Sequence, residues 1–335
     1  MKVSILVTTY NIQDYVDDAI RSVVEQEMPF EWELLIGDDG SSDLTADHIR
    51  EWIKRYPDNI KLFVHDRGNT NEKIGSRAAR NRAFLLEKAN GEYIQFLDGD
   101  DCFLDKLKIK TQIEILDDSH NSSCACCGHN MSVYVIPTKE RYLLTNEPAG
   151  DRIYTFEKYW SKHYFSTDTI LFRRECKYLL LDKRYRDYLN DNFITFLILQ
   201  KGSVYYLDKV WAQYNKTGEG LWTGHSRVYG AFRNLQLFDL EIFIRPDAYK
   251  LSMSKHRNDI FTIRKSYKRG CEEEIYPLTE GLDKDIFKYT NILYKKSGLS
   301  VKERLSKHKL YLTADLSFCR ALIRTMIKKI KAKTR

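Results

Sequence analysis

Over the first hundred positions, hydrophobic residues switch repeatedly between short continuous runs and a helical period. Val3 to Thr8 is a run of strand length, and after it Val16, Ala19, Ile20, Val23 and Val24 recur on one face of a helix. Trp32 to Ile36 predicts a second strand and residues 46–56 a helix that stops before Pro57; Ile60 to His65 predicts a third strand and Arg77 to Lys88 a third helix. The Gly91-Glu92 turn then leads into the apolar run Tyr93-Ile94-Gln95-Phe96-Leu97. Strands alternating with helices imply an α/β fold, with a mostly parallel, Rossmann-like central sheet and helices on both faces.

The periodicity weakens beyond this run. Ile109, Ile113 and Leu116 predict a short helix and Ser132 to Ile136 a strand, while Tyr154–Tyr164 and Phe193–Gln200 read as helical. Val204–Leu207 and Trp211–Tyr214 read as extended, and from about 226 aromatic and basic residues mix in mainly helical patterns. The expected organisation is a domain over residues 1–225, with halves 1–115 and 116–225, followed by a mainly helical region over 226–335.

A chain of 335 residues that is 43% hydrophobic can bury a sizeable core. The run Val3–Val7 is too short for the apolar part of a signal peptide, and no apolar stretch approaches membrane-spanning length, so the expected location is cytoplasmic. The seven cysteines (102, 124, 126, 127, 176, 271 and 319) lack the paired spacing of a zinc site although His129 lies near three of them; reduced, mostly buried thiols are expected. The net charge of +7 is concentrated at one end, because residues 295–335 hold 13 Lys/Arg against 2 Asp/Glu. The remainder is weakly acidic.

Carboxylates cluster where the strands end. Asp98-Gly99-Asp100-Asp101 follows the fourth apolar run, at the edge of an open α/β sheet where ligands bind. Three carboxylates so close repel one another, and a hard divalent cation sharing a substrate phosphate would relieve them; a metal-free acidic turn is the alternative. Asp38-Asp39-Gly40-Ser41-Ser42-Asp43 follows the second strand, where a carboxylate could accept from a base or a ribose hydroxyl, or simply shape a turn. Thr8-Thr9-Tyr10-Asn11 ends the first strand and offers hydroxyl, amide and stacking groups, or a helix cap. Arg77, Arg80, Asn81 and Arg82 could hold diphosphate oxygens or form a solvated helix face. Asn190-Asp191 opens an apolar helix, where the aspartate is either part of a cap or, if aimed across a cleft, a general base.

Together these motifs resemble the family-2 glycosyltransferases of the GT-A fold. The matching residues are Val7-Thr8-Thr9-Tyr10-Asn11, Asp38-Asp39-Gly40-Ser41-Ser42-Asp43-Leu44-Thr45, Ala79-Arg80-Asn81 and Phe96-Leu97-Asp98-Gly99-Asp100-Asp101, in the family's order and spacing. The match is strong over residues 1 to about 115, looser through Thr167–Arg174, Asn190-Asp191 and Val210–Tyr214, and absent from the last hundred residues. The resemblance implies a nucleotide-binding half over 1–115, an acceptor-binding half over 116–225, and a metal-dependent, inverting transfer from a nucleotide-sugar, with UDP the expected nucleotide. It implies that Thr8, Tyr10 and Asp39 touch uracil and ribose with Asp38 in support, and that Thr9, Asn11, Arg80, Asn81, Asp98 and Gly99 belong to the nucleotide-sugar site. Asp98 and Asp100 then form the DXD pair that binds the diphosphate through Mn²⁺ or Mg²⁺, Asp100 as direct ligand. The family's base is the aspartate of a Glu-Asp pair and maps onto Asp191, with Asn190 standing where the family has glutamate. Trp222 and His225, amid Gly218, Gly220 and Gly224, would belong to a lid over the sugar. The acceptor would be a saccharide or a lipid-linked glycan in bacterial surface polysaccharide assembly.

The tail adds two readings. Leu312, Leu316, Cys319, Ile323, Ile327 and Ile330 lie at near-helical spacing among Arg320, Arg324, Lys328, Lys329 and Lys331. Such a helix suits an anionic membrane surface, or packing on the protein's own body; no nucleic-acid recognition motif accompanies the charge. An oligomer interface in the aromatic-rich region after 226 is open. A nucleotidyltransferase would carry a Gly-rich N-terminal loop with a lysine, which this sequence lacks. The alternative from another class is a non-catalytic sugar-nucleotide or glycan-binding protein on a degenerate scaffold, against which the retention of Asp98, Asp100 and Asp191 argues.

Overall fold

The computed structural model describes residues 1–67, 76–160, 162–217, 227–256 and 258–259. Trp222, His225, the basic tail, Cys271 and Cys319 lie outside the described residues. The chain divides into two compact units, Met1–Gly224 and His225–Arg335.

In the first unit the continuous apolar runs become β1 (Val3–Thr9), β2 (Trp32–Asp38), β3 (Ile60–Val64) and β4 (Tyr93–Asp98), paired in parallel in the order β3-β2-β1-β4. Helices α1 (Val16–Val24), α2 (Thr45–Arg55) and α3 (Ser76–Lys88) make the crossovers. Both faces of β1 are covered, so Val3, Ile5, Leu6 and Val7 are all buried, each stabilising the fold by about 1.5–3 kcal/mol. Helix α1 lays Val16, Ala19, Ile20 and Val23 into the same core. Its Asp17 accepts from Trp52 Nε1 at 2.7 Å and pairs with His48 Nδ1 at 2.8 Å, which ties α1 to α2.

Beyond β4 the chain adds β5 (Cys102–Phe103), α4 (Lys108–Asp117), β6 (Cys124–Val135), β7 (Glu140–Leu143), β8 (Arg152–Tyr154), α5 (Phe156–Tyr159), β9 (Leu171–Arg173), α6 (Lys177–Leu180), α7 (Asp191–Ile198) and β10 (Ser203–Lys216). The sheet continues as β4-β9-β6-β10-β5, with β9 antiparallel to both β4 and β6; β7 pairs with β6 and β8 with β10. The two extended segments expected around 204–214 are one strand, β10, with register shifts near Leu207 and Val210. The strand expected from Ser132 begins at Cys124, so Cys124, Cys126 and Cys127 are buried thiols in a strand, as is the chemistry expected of them; Cys176 is likewise buried and free. The helix expected over Tyr154–Tyr164 shrinks to α5. Its aromatics answer to tertiary packing, with Phe156 and Trp160 against Phe196 and Phe165 stacked on Tyr206.

One buried polar hub joins the two halves of this sheet. Lys108 Nζ donates to Gln95 Oε1 at 2.7 Å and Gln112 Oε1 at 2.9 Å. Gln95 Nε2 donates on to the carbonyl of Thr167, and Gln112 Nε2 to those of Cys127 and Thr169. Strand β4, helix α4, strand β6 and the Thr167–Thr169 turn are thereby held to one point. In the second unit, α8 (Arg227–Ile244) and α9 (Tyr249–Lys255) are joined by the buried pair His256 Nε2–Glu241 Oε1 at 2.9 Å.

Burial pushes the Lys108 ammonium down to about 7. The unfolded chain therefore binds this proton more tightly between pH 7 and the ordinary lysine value, so the residue's contribution to stability grows as pH rises through that window and is lost as pH falls towards 7. Wild type should gain on Lys108→Met with rising pH, by at most ~1.4 kcal/mol per pH unit. Urea midpoints of both proteins at pH 7 and pH 9.5 check this, and an unchanged difference between them contradicts it.

Candidate active site

The C-terminal ends of β1, β2 and β4 form one edge, and the polar motifs meet there. Asp38 is fully buried and its carboxylate accepts from Thr9 Oγ1 at 2.9 Å, Ser41 N at 2.8 Å and Ser41 Oγ at 2.5 Å. Asn11, in the left-handed region at φ 48°, accepts from Ser42 N at 2.9 Å and donates its own N–H to Ser41 Oγ. Asp38, Thr9 and Asn11 therefore build the loop that presents Asp39 and Tyr10. Asp39 takes Arg77 Nε on both oxygens, at 3.2 and 3.0 Å, and the Arg67 guanidinium lies 3.5 Å from the centre of the half-exposed Tyr10 ring.

The Ala79-Arg80-Asn81 segment divides its roles. Asn81 is buried and donates to the Gly37 carbonyl at 2.7 Å, with His65 Nε2 3.1 Å from its Oδ1; a Cβ on Gly37 would come within 2.0 Å of that oxygen. Arg80 pairs with Asp187 at 3.4 Å near the surface. Arg82 instead enters the carboxylate cluster. Its Nη2 bonds Asp98 at 2.7 and 3.0 Å, its Nη1 donates to the Leu189 carbonyl at 3.2 Å, and Asp191 Oδ1 is 3.9 Å away.

Around Arg82 the negative charge is dense. Oxygens of Asp98, Asp101 and Asp168 all lie within 4.8 Å of one another. Asp168, from the turn before β9, accepts the Asp98 N–H at 2.9 Å and the Ser166 hydroxyl at 2.7 Å. Asp101 accepts from Asn215 N at 2.7 Å, and Thr8 Oγ1 donates to Asp98 at 3.2 Å. Gly99 is packed so closely that a Cβ would stand 2.6 Å from Ile12 and 2.7 Å from Thr9. Burial and the Asp98 charge push Asp100 up to about 6; burial with Asp98 and Asp191 pushes Asp168 to about 7. Asp101 is raised well above the usual range by burial and by Asp168, Asp100 and Asp98. The Tyr214 phenol is raised by burial and the same carboxylates. Asp98, Asp101 and Asp168 offer an all-oxygen donor set that Arg82 only partly balances and that suits a hard divalent cation such as Mg²⁺ or Mn²⁺; Asp100 is not among these converging carboxylates.

Asp191 lies near the same Arg82 Nη2, in the first turn of α7. The preceding Asn190 caps that helix by accepting from Phe193 N at 3.0 Å. Asp191 itself accepts from Tyr164 Oη at 2.9 Å and Thr167 Oγ1 at 3.2 Å. The structure thus brings Thr8, Asp98, Gly99, Asp100 and Asp191 into one region, assigns Asp38 and Asn81 to internal bonds, and seats Arg80 on Asp187. Sequence reasoning did not single out Asp168, Tyr164, Thr167 or Tyr214. Arg82 carried a legible signal, since it lies on the helix face of Ala79, Ala83 and Leu86, where a charge must find a partner.

This arrangement is that of the GT-A glycosyltransferase fold. The mannosyltransferase PcManGT from Pyrobaculum calidifontis, solved with GDP-Man and Mn²⁺, superposes with a TM-score of 0.55 at 16% identity, over 94% of this chain and 86% of that one. TarS 1–349 of S. aureus, solved with UDP-GlcNAc, gives 0.52 at 20% identity, over 72% of this chain and 66% of that one. The family description "Glycosyl transferase family 2" matches residues 4–179, and the chain belongs to that family. TuaG of Bacillus subtilis (strain 168), named as a teichuronic acid biosynthesis glycosyltransferase, is 37% identical over 114 residues, 34% of this chain and 41% of its own length. The chain spans less than half the length of the first curated relatives it matches.

Removing the guanidinium tests the electrostatics of the site. Arg82→Met leaves Asp98 and its neighbours without their buried counter-charge and should cost about 3–5 kcal/mol of stability, with Arg82→Lys recovering part of it. Thermal or urea unfolding reads this directly; a loss under ~1 kcal/mol would mean that the carboxylates are compensated in another way.

Proposed function

We propose that this chain is a metal-dependent, inverting glycosyltransferase that moves a hexosyl or N-acetylhexosaminyl group from a nucleotide-sugar, UDP-linked by preference, to a hydroxyl of a saccharide or lipid-linked acceptor. The observation that carries this reading is that Asp98, at the end of the nucleotide-side motif, and Asp191, the candidate base, lie near one buried guanidinium, 2.7 and 3.9 Å from the same Nη2 of Arg82. A donor-binding carboxylate and a base close enough to serve one carbon support a single displacement.

The roles follow from the positions. Tyr10 offers its ring to the base and Asp39, steadied by Arg77, an acceptor for base or ribose hydrogens. Asp98, with Asp101 and Asp168 converging on it and Asp100 as the partner the motif implies, would hold Mn²⁺ or Mg²⁺, which when bound would supply positive charge for the departing diphosphate. Asp191 takes the acceptor hydroxyl's proton while that oxygen bonds the anomeric carbon. The bond from that carbon to the diphosphate breaks with its electron pair on the diphosphate, so configuration inverts. Thr8, Thr9, Asn11, Asp38, Asn81 and Gly99 serve by holding the loops in place. The names of TuaG and of the TarS complex support surface-polysaccharide synthesis and a UDP-sugar, while the PcManGT complex makes GDP-mannose the competing donor. We place the reaction in the cytoplasm, with the basic segment 312–331 as the contact to a membrane surface. Among the described residues no helix is long and apolar enough to cross a membrane.

A panel of UDP-, GDP- and dTDP-sugars, scored for nucleotide release with Mn²⁺ and with EDTA, tests the class and the donor together. Release from one donor, abolished by EDTA, is expected. Asp191→Asn should then lose roughly 10²-fold or more in turnover while the thermal shift with UDP plus Mn²⁺ persists. Near wild-type turnover in that variant would remove Asp191 from the mechanism.

A further inference from the structure

Asp191 lies in an unfavourable place for a base. Asp168 is close enough for its charge to act on Asp191, and Arg82 at 3.9 Å is beyond hydrogen-bond reach. Three neutral hydroxyls surround its carboxylate. Tyr164 Oη donates to Oδ2 at 2.9 Å and Thr167 Oγ1 to Oδ1 at 3.2 Å. The Ser166 hydroxyl is 3.4 Å from Oδ2 but has one proton, and its 2.7 Å contact with Asp168 takes it.

We propose that Tyr164, seconded by Thr167, is the positioning residue that aims the Asp191 carboxylate at the acceptor hydroxyl. This rests on the reading of Asp191 as the base. One donor on each oxygen fixes the plane of the carboxylate, because a carboxylate held at a single oxygen could still swivel. Each oxygen has a second lone pair, and one of these receives the acceptor's proton. The donors are uncharged hydroxyls, so they orient the carboxylate without pairing it to a cation. Tyr164 is suited to the task, since burial and the Asp191 charge hold its phenol well above the usual range and its proton stays in place. During transfer the acceptor O–H bond breaks, its proton bonds to the Asp191 oxygen, and the Tyr164 O–H bond is unchanged.

Both hydroxyls are anchored independently of Asp191. Tyr164 is followed by Phe165, whose N–H donates to Tyr159 Oη at 2.8 Å and whose ring stacks on Tyr206. Thr167 opens the turn whose carbonyls receive Gln95 and Gln112 from the Lys108 hub. The cradle is therefore a fixture of the core.

The test compares wild type, Tyr164→Phe and Asp191→Asn for kcat and for KM of donor and acceptor. Tyr164→Phe should keep the donor KM and the thermal shift with UDP plus Mn²⁺ and lose roughly 10-fold or more in kcat. An unchanged kcat overturns the proposal, and so does a rise in KM with kcat intact, which would indicate ground-state binding. If Tyr164→Phe melts well below wild type, Thr167→Val decides by the same readouts, its unchanged kcat overturning the proposal. Full turnover in Asp191→Asn defeats the base reading and this inference together. A slow Asp191→Asn beside an unaltered Tyr164→Phe defeats this inference alone.

Discussion

Carboxylates that repel one another need a positive charge among them, and in this fold Arg82 supplies one. Its guanidinium reaches Asp98 at the end of β4, the backbone before α7, and the vicinity of Asp191. An arginine suits the position because its planar fork can serve several acceptors at once and stays charged when buried. Desolvation opposes its charge, yet Asp98, Asp191 and Asp168 outweigh that cost and leave its pKa raised. The geometry of the edge follows: the end of β4 and the start of α7 meet at one cation.

The second constraint is the join between the parallel and the mixed halves of the sheet. Strand β9 is three residues long, yet it lies between β4 and β6 and runs against both. So short a strand has little pairing of its own. The Lys108 hub supplies the rest, tying the turn before β9 to β4 and β6 through two glutamines. That turn carries both Asp168 and Thr167, so a polar group in the core sets where two residues of the edge stand.

The parallel half was legible in the sequence because its strands are short, mostly apolar runs, deeply buried in β1 and less so in β3, and each helix has one apolar face. The mixed half was legible only in part: the expected short helix, strand, second helix and extended stretches fall in α4, β6, α7 and β10, whereas β9 goes unmarked and the helix of 154–164 shrinks to α5. Leu171–Arg173 is too short to show a period, and the apolar residues of 154–164 serve an aromatic cluster in place of a helix face. The site divides similarly. Asp98, Asp100 and Asp191 were visible as carboxylates at element ends, whereas Asp168 sits in a Ser-Thr-Asp-Thr stretch that looks like any polar turn. Its meaning comes from the Asp98 N–H, a contact 70 residues away in the chain. Arg80 and Arg82 differ by two positions on one helix and point to different partners, a distinction visible in the helical phase of Ala79, Ala83 and Leu86.

Helix α7 mounts Asp191, and from Phe193 to Leu199 every residue behind it is buried. Phe193 and Phe196 stack with one another, and Phe196 is braced by Phe156 and Trp160. A side chain carried on such a mount has little room to shift. Variation among sequences of this build would therefore fall on the loops around the edge, while the anvil that carries Asp191 keeps its place.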